Sequence, residues 1–264
     1  LNASAPILLF DSGVGGLTVL AELRKMLPQA PVIYAADTAG LPYGSKTEAE
    51  IAARVAGLLG VLSERYKPRL ACIACNTAST IALGMVRDVL NIPIVGTVPA
   101  IKPAAALTKT GVIGLLGTEA TIRQVYVDRL EAEFAADKRL VRHGAPELVA
   151  AAEAKLRGDA FDRGAITGAV EALKAKAGDG AIDTVVLACT HFPLLTDELR
   201  AAFGAGIRFV DGAAGIARRI TALTEGHAFD RTSADRFVFT GDRAPSKTLV
   251  EVLASYGLPT ITPV

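Results

Sequence analysis

The chain has 264 residues, of which 51% are hydrophobic and 21% charged, and its formal net charge is +1. That length buries one large core or two ordinary ones, and the balanced charge argues against a nucleic-acid or membrane surface as the main partner. Three cysteines are too few, and odd in number, for a disulfide framework, and no run approaches the ~18 apolar residues of a membrane helix.

The chain opens on Leu1 and enters an apolar strand almost at once, without the basic stretch and cleavage site of a signal peptide. A reducing cytoplasm is the expected setting, with the initiator end trimmed or replaced. Pro6 to Phe10 reads as a buried strand, and Leu17 to Leu27 as a helix stopped by Pro28. Between them, Asp11-Ser12-Gly13-Val14-Gly15-Gly16 is a glycine-rich turn whose backbone N–H groups suit a phosphate or carboxylate. It is not the dinucleotide fingerprint, because Thr18 stands where the third glycine of G-x-G-x-x-G belongs. The plainer reading is a turn serving only helix–strand packing.

Pro31 to Ala36 forms the next strand, followed by Asp37-Thr38 and a loop of turn residues from Ala39 to Lys46. Gly44-Ser45-Lys46-Thr47 lacks P-loop spacing, whereas Thr47-Glu48-Ala49-Glu50 has the form of a capping box opening a helix to Tyr66. Leu70 to Ala74 is an unbroken apolar run, the pattern of a strand covered on both faces. It ends at Cys75, and a helix continues to Leu90 with Asn76, Thr77 or Ser79 as candidate N-caps. Ile92 to Gly96 is a short strand and Val98 to Pro103 a crossover.

A second α/β unit then begins. Gly111 to Leu116 is a strand, Gly117 to Thr121 a second anion-friendly turn, and Ile122 to Ala135 a helix. Pro146 to Leu156 and Phe161 to Ala177 are helical by periodicity and alanine content. Asp183 to Ala188 repeats the earlier design, an apolar strand ending in Ala-Cys with Thr190 and His191 beside Cys189. Ile207 to Val210 is a short strand, a helix runs to Glu225, Arg236 to Thr240 alternates like a strand, and a helix from Ser246 to Tyr256 follows. Strands alternating with helices imply right-handed crossovers and mostly parallel sheets. The expected fold class is α/β: two similar, pseudo-symmetric parallel-sheet domains facing each other across an active-site cleft.

Two cysteines at matching strand ends point to paired reactive groups on one cleft, because ligands of open α/β sheets bind at the carboxyl ends of strands. Cys72 falls inside its strand and reads as packing, although Cys72 and Cys75 form a C-x-x-C. Cys75, Cys189 and His191 could together hold zinc, or His191 could serve a Cys–His hydrolase, which leaves one strand-end cysteine without a task. Two thiols without a cofactor motif suit proton transfer at carbon, one from each face, since a free thiol titrates at about 8.5. His143 and His227 belong to no motif.

These residues resemble glutamate racemases, of the cofactor-independent aspartate/glutamate racemase superfamily, over nearly the whole chain. The resemblance rests on Phe10 to Leu17, Asp37-Thr38, Pro42-Tyr43-Gly44, Cys75-Asn76-Thr77-Ala78, Gly117-Thr118 with Ala120-Thr121, and Cys189-Thr190-His191. It implies that Cys75 and Cys189 are the two catalytic acid/bases, acting on the D- and L-enantiomer respectively. Asp11 would assist near Cys75, with His191 and Glu153 on the Cys189 side. Ser12, Pro42, Tyr43, Gly44, Asn76, Thr77, Thr118, Thr121 and Thr190 would hold glutamate, with no cofactor and no metal. It further implies D-glutamate for peptidoglycan, a homodimer, and a discontinuous first domain, residues 1–97 with 212–264, around a second, 98–211. Gly40 stands where many members carry Arg, Ala188 and Phe192 replace the more usual Gly and Tyr, and Ala145 takes a position that is often Cys. The rival readings are a two-lobed binding module without chemistry and a sister racemase acting on aspartate or a related acid.

Overall fold

The computed structural model describes residues 2–232 and 235–264. Its strands are β1 Ile7–Asp11, β2 Val32–Ala36, β3 Leu70–Ile73, β4 Ile94–Val95, β5 Val112–Gly117, β6 Arg139–Gly144, β7 Thr184–Ala188, β8 Arg208–Val210, β9 Arg236–Phe239 and β10 Thr260–Pro263. The helices are α1 Leu17–Met26, α2 Glu48–Tyr66, α3 Asn76–Val89, α4 Ile101–Leu107, α5 Glu119–Ile122, α6 Val125–Phe134, α7 Pro146–Arg157, α8 Arg163–Ala177, α9 Thr196–Phe203, α10 Ala213–Leu223 and α11 Lys247–Ser255. Among the described residues, no helix is long and apolar enough to cross a membrane.

The strands form two all-parallel sheets. One has the order β10-β9-β2-β1-β3-β4 and the other β6-β5-β7-β8. Helices cover both faces of each, which is why the central strands are continuously apolar. Ile7, Leu9 and Cys72 face a core shared with α1 and α10, while Leu8, Phe10, Ile73 and Cys75 face one shared with α2 and α3. In the second sheet Val185, Leu187 and Cys189 pack toward α7, α8 and α9, and Val186 and Ala188 toward α4 and α6. Cys72 is fully buried and lies on the opposite face from Cys75, so the C-x-x-C spacing makes no pair.

Parallel register lines up the strand ends that lead to the candidate residues. Asp37 N–H donates to Asp11 C=O and Ala74 N–H to Phe10 C=O, so the ends of β1, β2 and β3 share one edge. In each sheet the strand that leads to a cysteine pairs with the strand that leads to a polar turn: β3 with β1, and β7 with β5.

Several boundaries differ from the sequence reading. The helix after Cys75 starts at Asn76, and Cys75 itself is its N-cap, with no side-chain cap. The expected helix from Ile122 to Ala135 is two pieces, since Thr118 caps the short α5 and the chain bends before α6. The crossover after β4 contains α4. Strands β6 and β10 are edges, half exposed and therefore without an apolar run; β10 even carries Pro263, which an edge tolerates. The capping box is present, Thr47 and Glu50 each bonding the other's backbone N–H.

Candidate active site

One cavity of about 190 Å³ opens between the carboxyl ends of the two sheets. Ser12, Pro42, Tyr43, Gly44, Cys75, Thr77, Thr118, Cys189 and His191 line it, all of them candidates from sequence. Asp11, Asn76, Thr121, Glu153 and Thr190 stand behind that wall rather than in it. Leu41, Ser45, Glu119, Pro146 and Val149 also line it, and none of them was a candidate site residue. Among them Leu41, Pro146 and Val149 supply an apolar strip.

On the first-sheet side, the Cys75 thiol lies 3.6 Å from Ser12 Oγ. Burial, and then the nearby Asp11 carboxylate, push this thiol up to about 12, so at neutral pH it carries its proton. Asp11 is fully buried; its Oδ1 accepts from Thr190 Oγ1 at 3.0 Å and its Oδ2 from Gly13 N–H at 3.2 Å. Burial raises its carboxyl against the opposing charge of His191.

On the second-sheet side, Cys189 Sγ is 3.8 Å from His191 Nδ1, and His191 Nε2 is 2.8 Å from Glu153 Oε1. Burial opposes a charge on His191, but the hydrogen bonds and charges of Cys189 and Glu153 outweigh it and hold the imidazole well above its ordinary value. Glu153 is buried too, which would raise it, yet His191, Val14 N–H and Arg157 keep it ionised below the usual range. A charged imidazole donates from both nitrogens, one toward the carboxylate and one toward the sulfur.

Part of the glycine turn is closed to a ligand. Val14 N–H already donates to Glu153 Oε1 at 2.9 Å, and Gly13 N–H to Asp11. The carboxylates it seats are the protein's own. Its glycines serve close approach: a Cβ on Gly13 would meet Glu153 Oε1 and His191 Nε2, and one on Gly15 would lie 2.7 Å from His191 N. Ser12 N–H, in this turn and on the cavity wall, has no protein acceptor among the described residues, and further free amides lie outside the turn. Among the described residues, the N–H groups of Asn76 and Thr77 in the uncapped first turn of α3, and of Gly44 and Ser45 in a 3-10 turn, have no protein acceptor.

Three hydroxyls bridge the two sides. Thr77 Oγ1 lies 2.9 Å from Thr118 Oγ1 and 3.1 Å from Thr121 Oγ1, and the latter two are 2.9 Å apart. The Tyr43 hydroxyl is turned away from the cavity and donates to Asp37 at 2.6 Å, so Tyr43 offers its ring and backbone there. Asp37 also pairs with Arg54 and accepts from Thr240. These partners overcome burial and hold its carboxyl below the usual range. They also explain Gly40. A Cβ there would run into Asp37 Oδ2 and lie 2.5 Å from Arg54 Nε, so Arg54 of α2 supplies the cation beside this loop. Nothing in the helical pattern around Arg54 announces that role.

The sequence profile of the Asp/Glu/Hydantoin racemase family matches residues 18–220. The chain is 61% identical to the glutamate racemase of Sphingopyxis alaskensis over 259 residues, covering 97% of this chain and 96% of that one. It belongs to the glutamate racemase family. The glutamate racemase of Escherichia coli K12 is 45% identical over 97% of this chain and 90% of its own length. The structure of E. coli glutamate racemase with L-glutamate and the activator UDP-MurNAc-Ala superposes with a TM-score of 0.90 at 42% identity, covering 98% of each chain. Glutamate racemase from Thermus thermophilus, in complex with β-chloro-D-alanine, gives 0.76 at 29% identity over 100% of this chain and 98% of that one. As a glutamate racemase homologue, the chain carries both of the cavity's cysteines on the strand ends described above.

Proposed function

We propose that the chain interconverts L- and D-glutamate by two-base proton transfer at the alpha carbon, without a cofactor. The observation that carries this reading is that Cys75 and Cys189, from different sheets, line one small cavity. The cavity has room for a single small amino acid.

In the L to D direction, Cys189 as thiolate removes the alpha proton, and the Cys75 thiol delivers its own to the opposite face. The resting charges suit that direction. Protonated His191 points an N–H at Cys189 and so stabilises a thiolate, while Cys75 is held as a thiol. In the D to L direction Cys75 must first lose its proton, and Asp11, raised by burial, is the nearby group suited to accept it. The alpha proton of an amino acid is very weakly acidic, so positioning and fixed dipoles must supply most of the help. The first-turn amides of α3 and the Gly44–Ser45 amides with Thr118 are the donors assigned to the two carboxylates.

The two-domain division, residues 1–97 with 212–264 and residues 98–211, agrees with which strands each sheet contains. D-glutamate for peptidoglycan is the role of this reaction. A reducing cytoplasm suits three free cysteines. A homodimer is the expected assembly, and exposed apolar side chains such as Val89 and Val125 on α3 and α6 support a covered helical face. Sedimentation velocity reads it directly.

Heavy water tests the two-base reading. A proton taken from one face is not the one delivered to the other, and thiols exchange with solvent. Deuterium is therefore expected at the alpha carbon of the product from the first turnover, with early recovered substrate unlabelled. Early labelling of both enantiomers alike, from either direction, would overturn separate faces for Cys75 and Cys189.

A further inference from the structure

Glu153 meets His191 with one carboxylate oxygen and a cation with the other. Oε1 accepts Val14 N–H and faces His191 Nε2, whereas Oε2 accepts from Arg157 Nη2 at 3.0 Å. Arg157 lies one turn further along α7, the i, i+4 spacing that places both side chains on one helix face. We propose that Arg157 is a positioning residue for the Cys189 half of the reaction: it fixes the Glu153 carboxylate so that His191 stays aimed at Cys189. The inference deepens the two-thiol reading and rests on it.

Glu153 is 5% exposed, so a carboxylate oxygen that loses its donor there has little water to replace it. With Arg157 in place, Oε2 is satisfied and Oε1 is left to Val14 and His191. Without it, the carboxylate is free to turn, and Oε2 competes for the donors that now orient Oε1. His191 then loses its fixed partner on Nε2, and with it the direction of its Nδ1–H.

Arg157 acts from outside the substrate chamber. It lines a separate cavity of about 420 Å³ together with Asp159, Thr240, Asp242, Arg243 and Ser246. Two other carboxylates line that space, yet among the described residues the ion pair of Arg157 is with Glu153. The helix end that carries it is fixed by the returning C-terminal segment. Ser246 Oγ donates to Arg157 C=O at 3.0 Å, and Gly158, at φ 77°, ends α7 so close to Thr248 that a Cβ would be 2.8 Å from its hydroxyl. Packing of α11 against α7 thereby sets where the guanidinium sits.

The test uses the full chain with Arg157→Ala, Arg157→Gln and Arg157→Lys. Enantiomers have equal free energy, so kcat/KM must fall equally in both directions, and the affected half must be read from isotope effects. Slower proton removal by Cys189 makes that step control more of the L to D rate. In the Ala and Gln variants kcat is expected to fall about tenfold, the loss of one partly exposed charged hydrogen bond. The primary isotope effect on L-glutamate deuterated at the alpha carbon should rise, while that on deuterated D-glutamate should fall. Arg157→Lys should recover most of the rate. The outer cavity also admits a guanidinium ion, so millimolar guanidinium is expected to raise Arg157→Ala toward the parent rate and leave the parent unchanged. Isotope effects unaltered, or altered alike for both enantiomers, would overturn the assignment, as would failure of both lysine and guanidinium to restore rate. The parent protein, assayed alongside, reads the racemase reaction itself, so its failure is distinguishable from that of Arg157. Should Arg157→Ala not fold, Gln and Lys, which keep a long polar chain in place, carry the comparison.

Discussion

Replacing Cys75 or Cys189 with alanine is expected to lower racemisation by about 10²- to 10⁴-fold in either direction, with the fold intact. Each substitution removes a group that must hold the proton in every turnover, so the Cys75→Ala/Cys189→Ala double variant should be no worse than the singles. Because the enantiomers are equal in energy, no variant can work one way only, and both directions must be lost together. Cys72→Ala is the internal control. Cys72 shares the strand with Cys75 but faces the other core. It should keep its turnover and lose about 1 kcal/mol of stability from the small cavity left behind. Circular dichroism of the enantiomers measures turnover, and thermal unfolding measures the fold. Near-normal turnover in either single variant at 75 or 189 would end the two-thiol reading.

How much of this site was legible in the sequence follows from how each residue signals itself. Cys75 and Cys189 were visible because a strand covered on both faces is an unbroken apolar run, and such a run ends abruptly where chemistry begins. The same pattern hid β6 and β10, whose mixed, half-exposed sequences contain no apolar run to read. The glycine turn was visible as a turn, but not which of its amides the protein itself takes up. Its Gly13 and Val14 amides are occupied by Asp11 and Glu153, and the second of these lies in α7 with no local mark to join it to the turn. Long-range partners of this kind are not written in spacing. The Asp37–Arg54 pair is another: Gly40 looked like a missing cation, and the structure shows the cation arriving from α2 into the space a side chain at 40 would fill.

The largest remaining effect expected is in substrate choice: glutamate should exceed aspartate by at least about a thousandfold in kcat/KM. The cavity presents two groups of donors. The amides of Asn76 and Thr77 open α3 beside Cys75, and the amides of Gly44 and Ser45 lie with Thr118, whose hydroxyl meets that of Thr77. Leu41, Pro146 and Val149 give an apolar strip for the side-chain methylenes. Both donor groups sit on backbone at the starts of α3 and of the 3-10 turn rather than on flexible side chains, so their spacing is expected to select chain length. Aspartate, one methylene shorter, can satisfy both groups only by drawing its alpha carbon away from the line between the sulfurs. If it keeps the alpha carbon in place, one group of donors stays unpaired in a desolvated site, at a cost of about 1–3 kcal/mol per donor. If it keeps the carboxylates in place, a displacement of about an ångström costs roughly another hundredfold in rate. Glutamine fits in length but brings an amide whose N–H₂ faces donors, so it should also be poor. Rates measured for the three acids under one set of conditions decide the point. Comparable rates on aspartate and glutamate would overturn the glutamate assignment and favour a sister racemase for the shorter acid.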